Sequence, residues 1–172
     1  MVSSALSHIG FHSRRRNLPP IYDDESHWYQ SWYFDLRLEE EASRAERYSL
    51  GLIVLVICIP AHIDTGTSRF RNDLRAIATG KLRRTDIPTL LTSHELAICL
   101  THTRAEQAAT VINRLRRALA PYSPAFGQAS YPEDGEDIAS FLAIAESRAL
   151  ESCEHFTPTP VAVPQSMNRR RL

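Results

Sequence analysis

What the sequence lacks narrows its reading first. Neither sign of charge is in excess, with 20 Lys and Arg against 20 Asp and Glu in 172 residues. Nothing global therefore argues for a nucleic-acid polymer or an anionic membrane as partner. No long hydrophobic run is present either: the longest, "LGLIVLVICIP", is about half of the ~20 residues that a bilayer crossing needs. No apolar segment of the secretory-leader kind opens the chain. Cysteine is scarce. Cys58, Cys99 and Cys153 are odd in number and show no CxxC spacing, and two of them lie in apolar runs where a free thiol acts as a small hydrophobe. A cytoplasmic, reduced protein without a membrane span is expected.

What is present has the composition of a globular domain, 43% hydrophobic and 23% charged. The length suits one domain with a real core. Residues 1–25, with "RRR" and "PP", read as a flexible N-terminal arm, and 156–172, Pro-spaced and then basic, as a tail; the domain is expected over 26–155. The Arg triplets at Arg14 to Arg16 and Arg169 to Arg171 read either as solvated charge or as docking arms for an acidic partner.

Between these ends the hydrophobic periods are clear. Residues 33–48 are helical, with Phe34, Leu38 and Ala45 inward and Glu39, Glu40 and Glu41 outward. Residues 50–59 are a buried strand ended by Pro60. Thr67 and Ser68 cap a helix that Gly80 stops. Residues 87–91 and 96–100 are two strands joined by a polar turn, Thr92-Ser93-His94-Glu95. Thr103 caps a helix over 104–119, residues 124–130 form a strand, and Asp137 or Glu136 leads into a helix over 138–152. The order α-β-α-β-β-α-β-α, with an antiparallel hairpin inside it, predicts an α+β fold with helices around one central sheet. The dense group Trp28, Tyr29, Trp32, Tyr33 and Phe34 reads as packing of the first helix, with any exposed part a partner surface.

Three strings in this order resemble the GGDEF domain of diguanylate cyclases: "WYFDLRLEEEASRAERYSLGLIVLVICI", "RRTDIPTLLTSHELAICLTHTRAEQAATVINRLRRAL" and "AFGQASYPEDGEDIASFLAIAE". The resemblance runs over about 26–152 and implies the palm-like fold of nucleotide cyclases, with a mostly antiparallel sheet flanked by helices. Its signature pentapeptide falls on Thr92-Ser93-His94-Glu95-Leu96, where only Glu95 is kept. In the family two glycines let the hairpin approach a triphosphate, and Thr92 and Ser93 obstruct that approach. The family's metal-holding carboxylates fall on His94 and Cys58, poor ligands for Mg²⁺. "PAHIDTGTSRFRNDL" leaves the guanine-reading Asn and Asp without clear counterparts, and the late Ala-Lys pair falls on Ser152-Cys153. The resemblance thus implies a chain without catalytic residues and without a metal.

The family's second, product-binding site (the I-site) is marked by Arg-x-x-Asp. It falls on Arg83-Arg84-Thr85-Asp86, six positions before Thr92, and a further Arg falls on Arg114. These residues suit cyclic di-GMP: Arg forks grip phosphate or guanine O6 and N7, and stack on purines. A carboxylate accepts from guanine N–H groups. By resemblance the ligand binds as an intercalated pair able to bridge two surfaces, so a protein partner or a homodimer is implied. The plain alternative is a surface ion pair between Arg83 and Asp86, worth under about 1 kcal/mol. Two other functions stay open: a nucleotide-independent interaction module, and a residual nucleotide enzyme. Cys58, His94 and His62 could also be read as a soft-metal site that lacks a fourth ligand.

Overall fold

The computed structural model describes residues 19–135 and 137–154. The apolar run of the sequence becomes β1 (Leu52–Cys58), buried along its whole length. Such a strand needs cover on both faces, and that need organises the rest. β1 is flanked by β3 (Glu95–Thr101) and β4 (Ala125–Tyr131), and β2 (Ile87–Leu90) pairs with the outer side of β3. The sheet order is β2-β3-β1-β4 and every pairing is antiparallel. Helices α1 (Ser31–Tyr48), α2 (Ser68–Gly80), α3 (Ala105–Ala118) and α4 (Ile138–Glu154) complete the α+β fold in the expected order.

The period of two along the strands sorts the core into two layers. Ile53, Leu55 and Ile57 join Leu96, Ile98 and Leu100 against Phe70 and Leu74 of α2 and Val111 and Leu115 of α3. On the other face, Leu52, Val54, Val56 and Cys58 pack with Ala97 and Cys99 against Phe34 and Leu38 of α1 and Phe141, Ala145 and Ala149 of α4. Each large side chain fully buried here contributes about 1.5–3 kcal/mol. The small residues of α4 let it sit close to the sheet. A Cβ at Gly127 of β4 would run into the Ala145 carbonyl oxygen and the Ala149 backbone nitrogen, so that position has no room for a side chain.

Two expectations are corrected. Glu41 does not face outward: at seven residues from Phe34 and three from Leu38 it falls on the buried stripe of α1, 4% exposed. Arg37 and Arg44 neutralise it there. Thr103 does not cap α3. Its hydroxyl donates to the Thr101 carbonyl, and Arg104 holds the cap position, its N–H donating to the Gln107 side chain.

Other local expectations match. Thr67 caps α2 through the Phe70 N–H, and Asp137 accepts from the Ser140 N–H at the start of α4. Before α1, residues 21–29 form a strap in which Tyr22 bridges Tyr29 and Tyr29 bridges Thr89 of β2. Trp28 is fully buried and its indole N–H donates to the Leu74 carbonyl at 2.7 Å. Both Arg triplets and the Pro-spaced tail lie outside the described residues. Among the described residues no helix is long and apolar enough to cross a membrane.

Candidate functional site

The segment between α2 and β2 is a tight turn closed from both sides. The Asp86 N–H donates to the Arg83 carbonyl at 3.1 Å, and the Arg83 N–H donates to Asp86 Oδ2 at 2.7 Å. The Thr101 hydroxyl, from β3, also donates to the Thr85 carbonyl at 3.3 Å. This construction leaves the Arg83 and Arg84 side chains exposed and puts the Asp86 carboxylate inside, 5% exposed.

Asp86 is thus no partner in a surface ion pair, and no ion pair within 4.0 Å joins it to an Arg among the described residues. Its second oxygen, Oδ1, is sealed from solvent and has no hydrogen-bond partner. Burial pushes its carboxyl above the usual carboxylate range, against the Arg83 N–H bond and the charges of Arg83 and Arg114, which pull it down. Arg114, reaching in from α3, has a sealed Nε without a partner as well. A buried acceptor and a buried donor are therefore both left unsatisfied, each at a cost of about 1–3 kcal/mol. The three residues singled out in the sequence are neighbours in space; Arg83 and Asp86 are joined through the backbone of the turn, and no side-chain ion pair links the three.

The hairpin turn lies at the opposite end of β3. Leu91 N–H and Thr92 N–H both donate to the Glu95 carbonyl, and the His94 N–H donates to the Thr92 hydroxyl. Thr92 and Ser93 stand exposed at its tip. Glu95 lies directly opposite Cys58 in the β1–β3 register, and the His94 carbonyl accepts from the Ile59 N–H. Burial, helped by the negative charges of Glu95 and Glu146, pushes the Cys58 thiol up to about 11, so it stays a neutral thiol at ordinary pH.

Glu146 of α4 is the residue here that sequence reasoning missed. It carries no motif, and only the packing of α4 over the sheet brings it near Glu95, whose charge adds to burial in raising its carboxyl. A groove of about 310 Å³ beside this end of the sheet is walled by Pro60, His62, Pro124 and Cys153. Among the described residues no three His, Cys, Asp or Glu side chains gather as a metal ion would require. Cys58 and His94 do not fit a divalent cation: a neutral thiol offers no hard oxygen, and the His94 Nδ1 is sealed without a partner.

No family model and no curated protein sequence matches the chain. Solved structures do match in shape. The GGDEF domain of TpbB (YfiN) from Pseudomonas aeruginosa superimposes with a TM-score of 0.67 at 20% identity, over 77% of this chain and 88% of that one. The FimX GGDEF domain from the same organism gives 0.70 at 10% identity, over 79% and 95%. The fold is that of a GGDEF domain. The GGDEF domain of DgcB from Caulobacter crescentus, solved in complex with c-di-GMP, matches equally well, at a TM-score of 0.67 and 16% identity over 80% of this chain and 92% of that one. Within this GGDEF fold the Arg83–Asp86 turn follows α2 and the Thr92–Glu95 turn joins β2 to β3.

Proposed function

We propose that this GGDEF-fold protein is a cyclic di-GMP receptor without cyclase activity, binding the dinucleotide through Arg83, Asp86 and Arg114. The observation that carries this reading is the sealed, unpartnered Asp86 Oδ1 beside two Arg side chains that do not pair with it. A purely structural Asp would spend both oxygens on the turn. Here Oδ2 closes the turn and Oδ1 lacks a partner; binding must first open the packing over Oδ1, which then accepts from a guanine N–H and gains the partner it lacks. Exposed Arg83 supplies a fork for phosphate or for the guanine Hoogsteen edge.

The other end of β3 lacks the groups that cyclase chemistry needs. A neutral Cys58 thiol and His94 occupy positions where, by the family resemblance, carboxylates hold divalent cations. Thr92 and Ser93 place side chains where a triphosphate needs bare backbone. Signalling then runs through contact: the ligand changes affinity for a second copy or for another protein by as much as it prefers the bound arrangement.

Incubation with GTP and Mg²⁺ or Mn²⁺, with analysis of the nucleotides, tests the inactive half; formation of cyclic di-GMP or pppGpG above the protein-free control contradicts it. Titration of cyclic di-GMP into the protein and into Arg83→Ala and Arg114→Ala tests the receptor half. A loss of at least tenfold in affinity, about 1.4 kcal/mol, is expected in each variant.

A further inference from the structure

The start of α1 carries an aromatic surface that the proposed ligand site does not use. Tyr22, Trp32 and Leu36 are 51%, 40% and 45% exposed, and Ile21 stands beside them in sequence. The rings are continuous: Tyr22 stacks on Tyr29 with centroids 4.8 Å apart, Tyr29 leans on Tyr33 at 5.0 Å, and Trp32 meets Tyr33 edge-on at 5.6 Å. The Trp32 indole N–H donates to the Pro20 carbonyl, holding the strap against the helix. Leu36 lies one turn beyond Trp32, and Asp35 and Glu39 share the stripe at the third and seventh positions from Trp32. Both carboxylates are exposed and neither has an ion pair among the described residues.

A terrace of Trp and Tyr rings beside two unpaired carboxylates suits a Pro-spaced, basic peptide. Proline rings lie flat on aromatic faces, a polyproline backbone loses little entropy on docking, and Arg forks take carboxylates. The chain carries such a peptide after α4, "FTPTPVAVPQSMNRRRL", with three prolines, a terminal Arg triplet and no acidic residue.

The register places its origin at the right end of the fold. Tyr29 bridges Thr89, which pairs with Ala97, which pairs with Val56, which pairs with Gly127. One residue from Gly127, the Phe126 carbonyl accepts from the hydroxyl of Ser152 in the last turn of α4. The strap and the end of α4 therefore stand at nearly the same level of the sheet. They are separated by four strand spacings, about 19 Å. Residues 155–172 span over about 50 Å at ~3.1 Å each in a polyproline helix, so the reach is ample.

We propose that residues 156–172 dock on the Tyr22–Trp32–Leu36 surface, with Pro158, Pro160 and Pro164 on the aromatic rings and Arg169 to Arg171 at Asp35 and Glu39. A second copy of the chain is the poorer occupant, because a two-fold contact through this face sets Asp35 and Glu39 against their own counterparts. The tail is also held at high effective concentration by its attachment to α4.

Limited trypsin digestion of the full chain, followed by mass spectrometry, reads the docking directly. Cleavage at Arg169 to Arg171 is expected to be about tenfold slower in the native chain than in Trp32→Ala or in the double variant Asp35→Asn, Glu39→Gln. Cleavage at Arg14 to Arg16 serves as the internal control and is unchanged. Circular dichroism verifies that the variants are folded, and the double variant, altering only exposed groups, keeps the test decisive if Trp32→Ala is not. Equal tail cleavage in the native chain and the double variant overturns the proposal. Protection that grows with protein concentration overturns it too, in favour of a second copy.

Discussion

Asp86 and Arg83 close one turn reciprocally, backbone to backbone at 3.1 Å and backbone to carboxylate at 2.7 Å. The turn needs one oxygen of Asp86 and an acceptor there, but it does not need the charge. Asp86→Asn keeps an acceptor for the Arg83 N–H and removes a carboxylate that burial disfavours. The melting temperature of Asp86→Asn is therefore expected to equal or exceed that of the native chain by a few degrees at pH 7, while cyclic di-GMP binding falls at least tenfold. Asp86→Ala leaves the Arg83 N–H without its partner and costs about 1 kcal/mol of stability. Thermal denaturation of the two variants side by side checks this.

The sign of the pH dependence follows from the same carboxyl. Its pKa is raised in the folded state, so the folded chain takes up this proton more readily than the unfolded one. Its contribution to stability is present at pH below the ordinary carboxyl value and is lost as pH rises through the raised value. The gain of Asp86→Asn over the native chain should accordingly shrink from pH 7 towards pH 4. Ligand affinity runs the other way: a protonated carboxyl cannot accept from two guanine N–H groups, so binding weakens as pH falls through the raised value. Melting and titration series across this range measure both trends.

Gly127 tests the packing of α4 on β4. An added Cβ would meet the Ala145 carbonyl oxygen and the Ala149 nitrogen, both backbone atoms that cannot turn aside. Gly127→Ala is expected to cost about 1–3 kcal/mol or more as α4 is pushed off the sheet. Urea denaturation with the native chain as reference gives the difference.

Arg148 ties α4 to the open edge of β4, donating to the Gln128 carbonyl at 2.8 Å and to Asp134 Oδ1 at 2.7 Å. Arg148, and then the Ser130 N–H, hold the Asp134 carboxyl below the usual carboxylate range. A lowered carboxyl contributes stability above its unfolded value and loses it as pH falls through the folded one. Because both side chains are partly exposed, Arg148→Ala is expected to cost only about 1 kcal/mol near neutral pH. The deficit should narrow in acid, which melting curves at descending pH detect.

Much of this was legible because two periods dominate the text. The seven apolar residues of β1 and the Phe34–Leu38–Ala45 stripe of α1 announce a strand buried on both faces and the helix that covers it. Helix α2 kept its expected cap because the Thr67 hydroxyl sits three residues before a free N–H. Glu41 misled because charge in a run reads as exposure, whereas its angular position on the helix is inward and two Arg side chains make burial tolerable. Thr103 misled because a hydroxyl just before a helix also reaches backwards, here to Thr101. The site residues were placed by motif and spacing. Sequence alone could not tell that Asp86 points inward while Arg83 points out, nor that Glu146 comes near Glu95, since both depend on how α3 and α4 settle on the sheet.

Isothermal titration of cyclic di-GMP into the folded, nucleotide-free protein, with Arg83→Ala and Asp86→Asn alongside, decides whether the chain is a receptor. Micromolar or tighter binding with about two ligands per site is expected, lost in both variants while both remain folded. No heat in the native chain, or undiminished binding in Asp86→Asn, would contradict that role.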